Sequence, residues 1–203
     1  MTEQLRLDPD TLFEEFSCRD RIEQYLDLLL EENQQLNLVS RETSRDDLRR
    51  LAAESIFPLK SIESGAGSYL DVGSGGGFPS IPIMLALEGA VTSPQTTLVE
   101  RIGKKAAALQ RLVSGLDLEP NVINMTLEDI KPPGSANLIT IRLVKLTDKL
   151  LAVASRWLKP DGCILYYSQP DFHIDERKFH VKPISFVSVT GQSKTVSAIA
   201  KNS

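Results

Sequence analysis

Asp71-Val72-Gly73-Ser74-Gly75-Gly76-Gly77-Phe78-Pro79 decides the fold of this 203-residue chain. The apolar lead-in Ser68-Tyr69-Leu70 suits a buried strand, and Ser80-Ile81-Pro82-Ile83-Met84-Leu85-Ala86-Leu87 suits the start of a helix. Four glycines therefore fall where a strand ends and a helix begins. Glycine accepts positive φ and lets a ligand approach the backbone without meeting a Cβ. In open α/β sheets ligands bind outside the carboxyl ends of the strands, and a helix start adds free N–H groups. The spacing Gly-x-Gly-x-Gly departs from the dinucleotide fingerprint Gly-x-Gly-x-x-Gly. Asp71 opens the turn, and Glu100 closes the next apolar run, Thr96-Thr97-Leu98-Val99. An acid there can accept both hydroxyls of a ribose. The pattern points to a nucleoside cofactor, and the glycine spacing favours S-adenosylmethionine over NAD.

Outward from this loop, strands and helices alternate. The residues predict strands near 68–72, 96–100, 121–125 and 137–141, and helices near 80–88, 103–115 and 145–158. The turn Lys159-Pro160-Asp161-Gly162 precedes an apolar strand from Cys163 to Tyr167. Alternation of this kind implies parallel strands with helices on both faces. Two further alternating runs, Ile184 to Val189 and Thr195 to Ile199, read as an antiparallel pair closing the sheet edge. The first third is helical: Ile22, Tyr25, Leu26 and Leu29 follow the i, i+3, i+4, i+7 pattern. Asn37-Leu38-Val39-Ser40 breaks that helix. Ser44 or Asp46 caps another through Leu48, Leu51, Ala52 and Ile56, which ends near Pro58. A Gly/Ser-rich connection follows over 61–67. The length fits one domain over 1–203, with a helical extension over 1–60 and a cofactor-binding core over 61–203.

Composition narrows the function classes. The 41% hydrophobic content is that of a globular protein, and no apolar run reaches the length of a membrane span. The N-terminus lacks the order of a signal peptide, so a cytoplasmic protein without membrane contact is expected. Cys18 and Cys163 lie far apart, and His173 and His180 fall in the polar tail, so no metal is expected. A net charge of −4 does not advertise nucleic-acid binding, so any RNA contact must use a local patch. Arg45, Arg49 and Arg50 form one basic cluster; Arg101, Lys104, Lys105 and Arg111 form another. Tyr166, Tyr167 and Phe172 are the candidates for base stacking.

The loop with its continuation Ser80-Ile81-Pro82 closely resembles the cofactor loop of the RsmG (GidB) family. Asn37 to Ser40, Gly103-Lys104-Lys105, Leu127-Glu128-Asp129 and Ile141-Arg142 resemble further segments of that family. The resemblance implies a class I methyltransferase: Rossmann-like, with a seven-stranded, mostly parallel sheet and an N-terminal helical extension. It implies methyl transfer from S-adenosylmethionine to N7 of a guanine in small-subunit ribosomal RNA, with the RNA or the small ribosomal subunit as partner; a monomer is expected. Gly73, Gly75 and Phe78 would line the methionine end of the cofactor. Backbone groups near Leu127 and Glu128 would hold the adenine, and Glu100 the ribose, with Asp71 at the loop entrance. Arg142, at a strand end, would hold the methionine carboxylate, a phosphate or a guanine edge and so serve the reaction centre. The chain departs from the family where Leu51 replaces His, Leu143 replaces Ala, and Ser168-Gln169 replaces a Lys-containing pair. The family's basic residue near the last hairpin corresponds to Ser193 or Lys194. Two other readings share these residues: a methyltransferase with another substrate, and a homologue that binds cofactor or RNA without turnover.

Overall fold

A computed structural model describes residues 6–62, 67–88, 94–132, 135–169, 171 and 173–202. The chain begins with three helices: α1 (Pro9–Glu15), α2 (Arg19–Asn33) and α3 (Arg45–Ile56). Asp8 caps α1 by accepting from the Thr11 N–H, and Pro9 sits in its first turn, where a missing N–H costs nothing. Ser44, not Asp46, caps α3: its hydroxyl accepts from the Asp47 N–H while the Asp47 carboxylate accepts from the Ser44 N–H. The break after α2 is built by Asn33, whose Oδ1 accepts from the N–H groups of Leu38 (2.8 Å) and Val39 (3.1 Å).

The alternating part follows as β1 (Ser68–Val72), α4 (Ser80–Leu87), β2 (Gln95–Val99), α5 (Gly103–Gly115), β3 (Asn121–Ile123), β4 (Ala136–Ile141), α6 (Asp148–Trp157), β5 (Leu158–Tyr166), β6 (Phe179–Val187) and β7 (Ser193–Lys201). One seven-stranded sheet results, in the order β3-β2-β1-β4-β5-β7-β6. Its first five strands run parallel, while β7 is antiparallel to β5 and β6. This is the expected α/β architecture of class I methyltransferases. Adjacent residues divide between its faces. Tyr69, Leu98, Leu138 and Leu165 join α1 to α5 in one apolar cluster. Leu70, Val99, Ile139 and Ile164 pack with α6 in the other. The N-terminal helices thus cover one sheet face. Helix α4 is buried on nearly every side, which explains why its sequence is apolar all round.

Several boundaries differ from the sequence reading; β3, for one, ends at Ile123 rather than at 125. Helix α6 starts at Asp148 rather than Lys145, because the Thr147 side chain accepts from the Leu150 N–H and caps it there. The turn at 159–162 lies inside β5, which begins at Leu158; the register jumps from the Ala136–Leu158 pair to Leu138–Cys163, so the four residues form a bulge. A Cβ on Gly162 would come within 2.9 Å of the Ala136 carbonyl oxygen, so only glycine passes there. The last two strands each span nine residues: β6 starts before Ile184 but ends at Val187, short of Val189, while β7 extends beyond the run Thr195 to Ile199 at both ends.

Candidate active site

The glycine loop leaves β1 and turns into α4 through three left-handed glycines: Gly73 (φ +78°), Gly75 (+53°) and Gly77 (+98°). Space forbids a side chain at two of them. A Cβ on Gly73 would lie 2.4 Å from Val144 Cγ2, and one on Gly77 would lie 2.5 Å from Ile81 Cδ1. At Gly75 a Cβ would meet only the Gly73 carbonyl oxygen, at 3.8 Å. Gly75 therefore presents bare backbone to open space. Helix α2 clamps the loop from behind: the buried Tyr25 hydroxyl donates to the Gly76 carbonyl at 2.8 Å, and its ring meets Phe78 edge-on at 5.3 Å. Burial pushes the Tyr25 phenol well above its usual range, which keeps it a donor.

Glu100 is 5% exposed. Its Oε2 accepts from the Gly75 N–H (2.9 Å) and its Oε1 from the Ile102 N–H (2.7 Å), so one carboxylate ties the glycine loop to the start of α5. A carboxylate oxygen has two acceptor sites, which leaves each oxygen room for a ligand hydroxyl. Asp71 stands apart. It is fully buried beneath the loop and accepts from Thr140 Oγ1 at 2.5 Å, while Thr140 Oγ1 also meets the Tyr69 hydroxyl at 2.8 Å. Burial, above all, raises its pKa, against the pull of nearby hydroxyls.

These elements frame a cleft of about 1390 Å³. Gly73, Gly75, Phe78, Glu100, Leu127, Glu128 and Arg142 all line it, so the structure gathers every site residue predicted from sequence except Asp71. The break after α2 closes one side, through Asn37, Leu38, Val39 and Ser40. Arg142 follows β4 and is held from behind. Its Nη2 lies 3.2 Å from Glu54 Oε2; its Nη1 donates to Ser55 Oγ (3.1 Å) and to the Leu51 carbonyl (3.4 Å). The guanidinium also lies over the Tyr167 ring, 5.4 Å from its centroid.

Residues 19–198 match the family described as "GidB: rRNA small subunit methyltransferase G". Ribosomal RNA small subunit methyltransferase G of Paramagnetospirillum magneticum is 35% identical over 149 residues, covering 72% of this chain and 69% of that protein. The Helicobacter pylori protein of the same name is 35% identical over 147 residues, covering 72% and 79%. The chain belongs to the GidB family. The fold extends to more distant methyltransferases: an O-methyltransferase from Bacillus cereus, solved in complex with SAH, superposes with a TM-score of 0.60 over 87% of this chain and 90% of that one, at 13% identity.

In this GidB-family protein the two basic clusters have different fates. Arg45 pairs with Glu23 and Asp27, Arg49 with Asp10 and Glu23, and Arg50 with Asp47. Arg45 and Arg49 are thus spent on holding the N-terminal helices together, and Arg50 on a pair within α3. Arg111 pairs with Glu32 through two hydrogen bonds. Arg101, Lys104 and Lys105 make no ion pair with any described residue; Arg101 and Lys105 line the cleft. The stacking candidates are also occupied: Tyr166 is buried, and the Tyr167 hydroxyl donates to the Ser55 carbonyl at 2.5 Å. Phe172 lies outside the described residues. Among the described residues, no helix is long and apolar enough to cross a membrane, and no group of three His, Cys, Asp or Glu could hold a metal. Burial pushes both cysteine thiols up to about 11.

Sequence reasoning missed Tyr25 and Glu54 as supports of the site. Tyr25 was legible only as a core position of α2. Glu54 had a readable signal: an acid in the middle of the apolar run Ala52-Ala53-Glu54-Ser55-Ile56, where a buried charge needs a partner.

Proposed function

We propose that the cleft binds S-adenosylmethionine and that the protein transfers a methyl group to N7 of a guanine in small-subunit ribosomal RNA. Gly75 carries the reading: its left-handed backbone is exposed to the cleft where a Cβ would make only ordinary van der Waals contact with the Gly73 carbonyl oxygen, beside a buried carboxylate with acceptor capacity to spare. Bound there, S-adenosylmethionine supplies an activated methyl group on a sulfonium. Gly73, Gly75 and Phe78 would face its methionine end, Glu100 its ribose hydroxyls, and the backbone near Leu127 and Glu128 its adenine. Asp71 would act from below, as a support of the loop.

Guanine N7 is already an acceptor on the outer edge of the base. No proton leaves it before attack, so the chain need not supply a general base. Its task is orientation, which is worth several orders of magnitude in rate when the reacting atoms are held in line. Arg142 fits this role, since its fork is fixed by Glu54 and Ser55 at the end of β4. Arg101, Lys104 and Lys105 are the cations we assign to the RNA backbone, in place of the Arg45 cluster; phosphate contacts of this kind position the substrate without reading its sequence. We further read 1–203 as one domain and the protein as a cytoplasmic monomer.

The test is direct. Purified protein, isotopically labelled S-adenosylmethionine and small ribosomal subunits from cells lacking this gene should yield N7-methylguanosine, mapped by mass spectrometry to one site. Cofactor binding without methyl transfer to subunits, assembly intermediates or naked RNA would refute the activity.

A further inference from the structure

Large apolar side chains are exposed at only four described positions: Ile102 (43%), Met125 (43%), Leu143 (99%) and Val189 (48%). Three of them, Ile102, Met125 and Leu143, line the same cleft. Ile102 and Met125 stand beside Glu100 and Leu127, at the end we assign to ribose and adenine. Leu143 lies elsewhere. It follows Arg142 at the end of β4 and precedes Val144, which packs where a Cβ of Gly73 would stand. That is the methionine end, where the methyl group would be presented.

Leu143 is unusual in a second way. Its φ is +56°, in the left-handed region that residues with bulky side chains rarely enter. Neither neighbour is free to relax it. Arg142 is bound to Glu54 and Ser55, and Val144 is wedged against Gly73. Outliers of this kind persist where the surrounding structure over-determines them, and they cluster at working sites. The side chain is therefore held out into solvent by two anchored residues.

We propose that Leu143 is the apolar platform against which the acceptor base rests during methyl transfer. A purine has flat apolar faces and places N7 on its edge, so a base lying against Leu143 could turn that edge toward the methyl group. Leu143 is a positioning residue: it touches the base but supplies no charge or proton. The assignment rests on the proposed activity toward small-subunit RNA.

The experiment compares wild type, Leu143→Gly and Leu143→Met on small ribosomal subunits lacking the N7 methyl mark. Glycine suits the left-handed backbone, so Leu143→Gly should melt no lower than wild type. Its affinity for S-adenosylhomocysteine, measured by calorimetry, should be unchanged. Its kcat/KM for subunits should fall by about tenfold or more, the scale of a lost aliphatic contact in an apolar site. Leu143→Met should restore most of it. Unchanged kcat/KM in Leu143→Gly overturns the assignment, as does a parallel loss of cofactor affinity or a lowered melting temperature. In each of those cases the wild type is active. A wild type inactive on subunits is a separate failure, which overturns the functional reading and this assignment together.

Discussion

Replacing Arg142 by methionine tests how α3 is fastened to the site. The Arg142 and Glu54 side chains are 12% and 7% exposed, and their closest atoms lie 3.2 Å apart. Arg142→Met leaves the Glu54 carboxylate buried. The remaining cation is Arg50, whose Nε is 4.0 Å from Glu54 Oε1. Removing one member of a buried pair costs about 3–5 kcal/mol. Arg50 compensates in part, so the lower end, about 3 kcal/mol, applies. For a chain of this size each kcal/mol lowers Tm by about 2–4 °C, which gives a drop of about 6–12 °C. Glu54→Leu should also destabilise, by less, because Arg142 keeps the Ser55 hydroxyl, the Leu51 carbonyl and the Tyr167 ring. The double variant Arg142→Met/Glu54→Leu should recover much of the loss, since apolar replacement of a whole buried pair is often neutral. Urea unfolding of the four proteins measures the coupling, expected above about 1.5 kcal/mol with unchanged m-values. Simple additivity of the two single variants, or a cost below about 1 kcal/mol for Arg142→Met, would refute the reasoning. Methyl transfer should fall in both single variants, and Arg142→Lys should rescue it poorly because an ammonium cannot reproduce the fork.

Gly73 and Gly75 should respond differently to alanine. Gly73→Ala collides with Val144 and should impair folding, whereas Gly75→Ala should fold with a cost of about 1–2 kcal/mol from its backbone alone and lose cofactor affinity; equal affinity by calorimetry would mean that the loop is only a turn. Glu100→Ala should lower both cofactor affinity and Tm, because it orphans the N–H groups of Gly75 and Ile102 at about 1–3 kcal/mol each; an unchanged melt would refute the structural half of this. Asp71 gives a pH dependence. Its folded pKa lies above the usual 3.8, so the folded state binds more protons than the unfolded one as pH rises from there, and stability contributed by this group falls through that window. Asp71→Asn should flatten that part of the stability profile; urea unfolding across pH 4 to 7 showing the same slope in both proteins would count against it.

Most of the parallel sheet was legible in the chain itself. Buried parallel strands must be apolar runs, and each must be followed by a connection long enough to return, so β1, β2, β4, α4 and α5 could be read almost to the residue. The glycine loop was legible for a local reason: positive φ at Gly73, Gly75 and Gly77 admits few other residues. Glu100 was legible because it closes a strand. The boundaries at Thr147 and across 159–162 were not. One depends on a cap competing with alternatives three residues away, and the other on whether a turn sequence can pass through a strand as a bulge beside Ala136 and Asn137.

Charge partnership was beyond the sequence altogether. Arg45, Arg49 and Arg50 read as a basic face, yet Arg45 and Arg49 meet Glu23, Asp27 and Asp10 once the helices pack, and Arg50 pairs with Asp47 within α3. Arg142 and Glu54 are 88 residues apart, and Tyr25 reaches the Gly76 carbonyl across 51. A sequence specifies which side chains must find partners, because burial of a charge or hydroxyl is costly without one. Which partner each finds is decided by the packing of distant segments, and so the loop that faces the ligand could be read from local chemistry, while the side chains that hold it rigid appeared only in three dimensions.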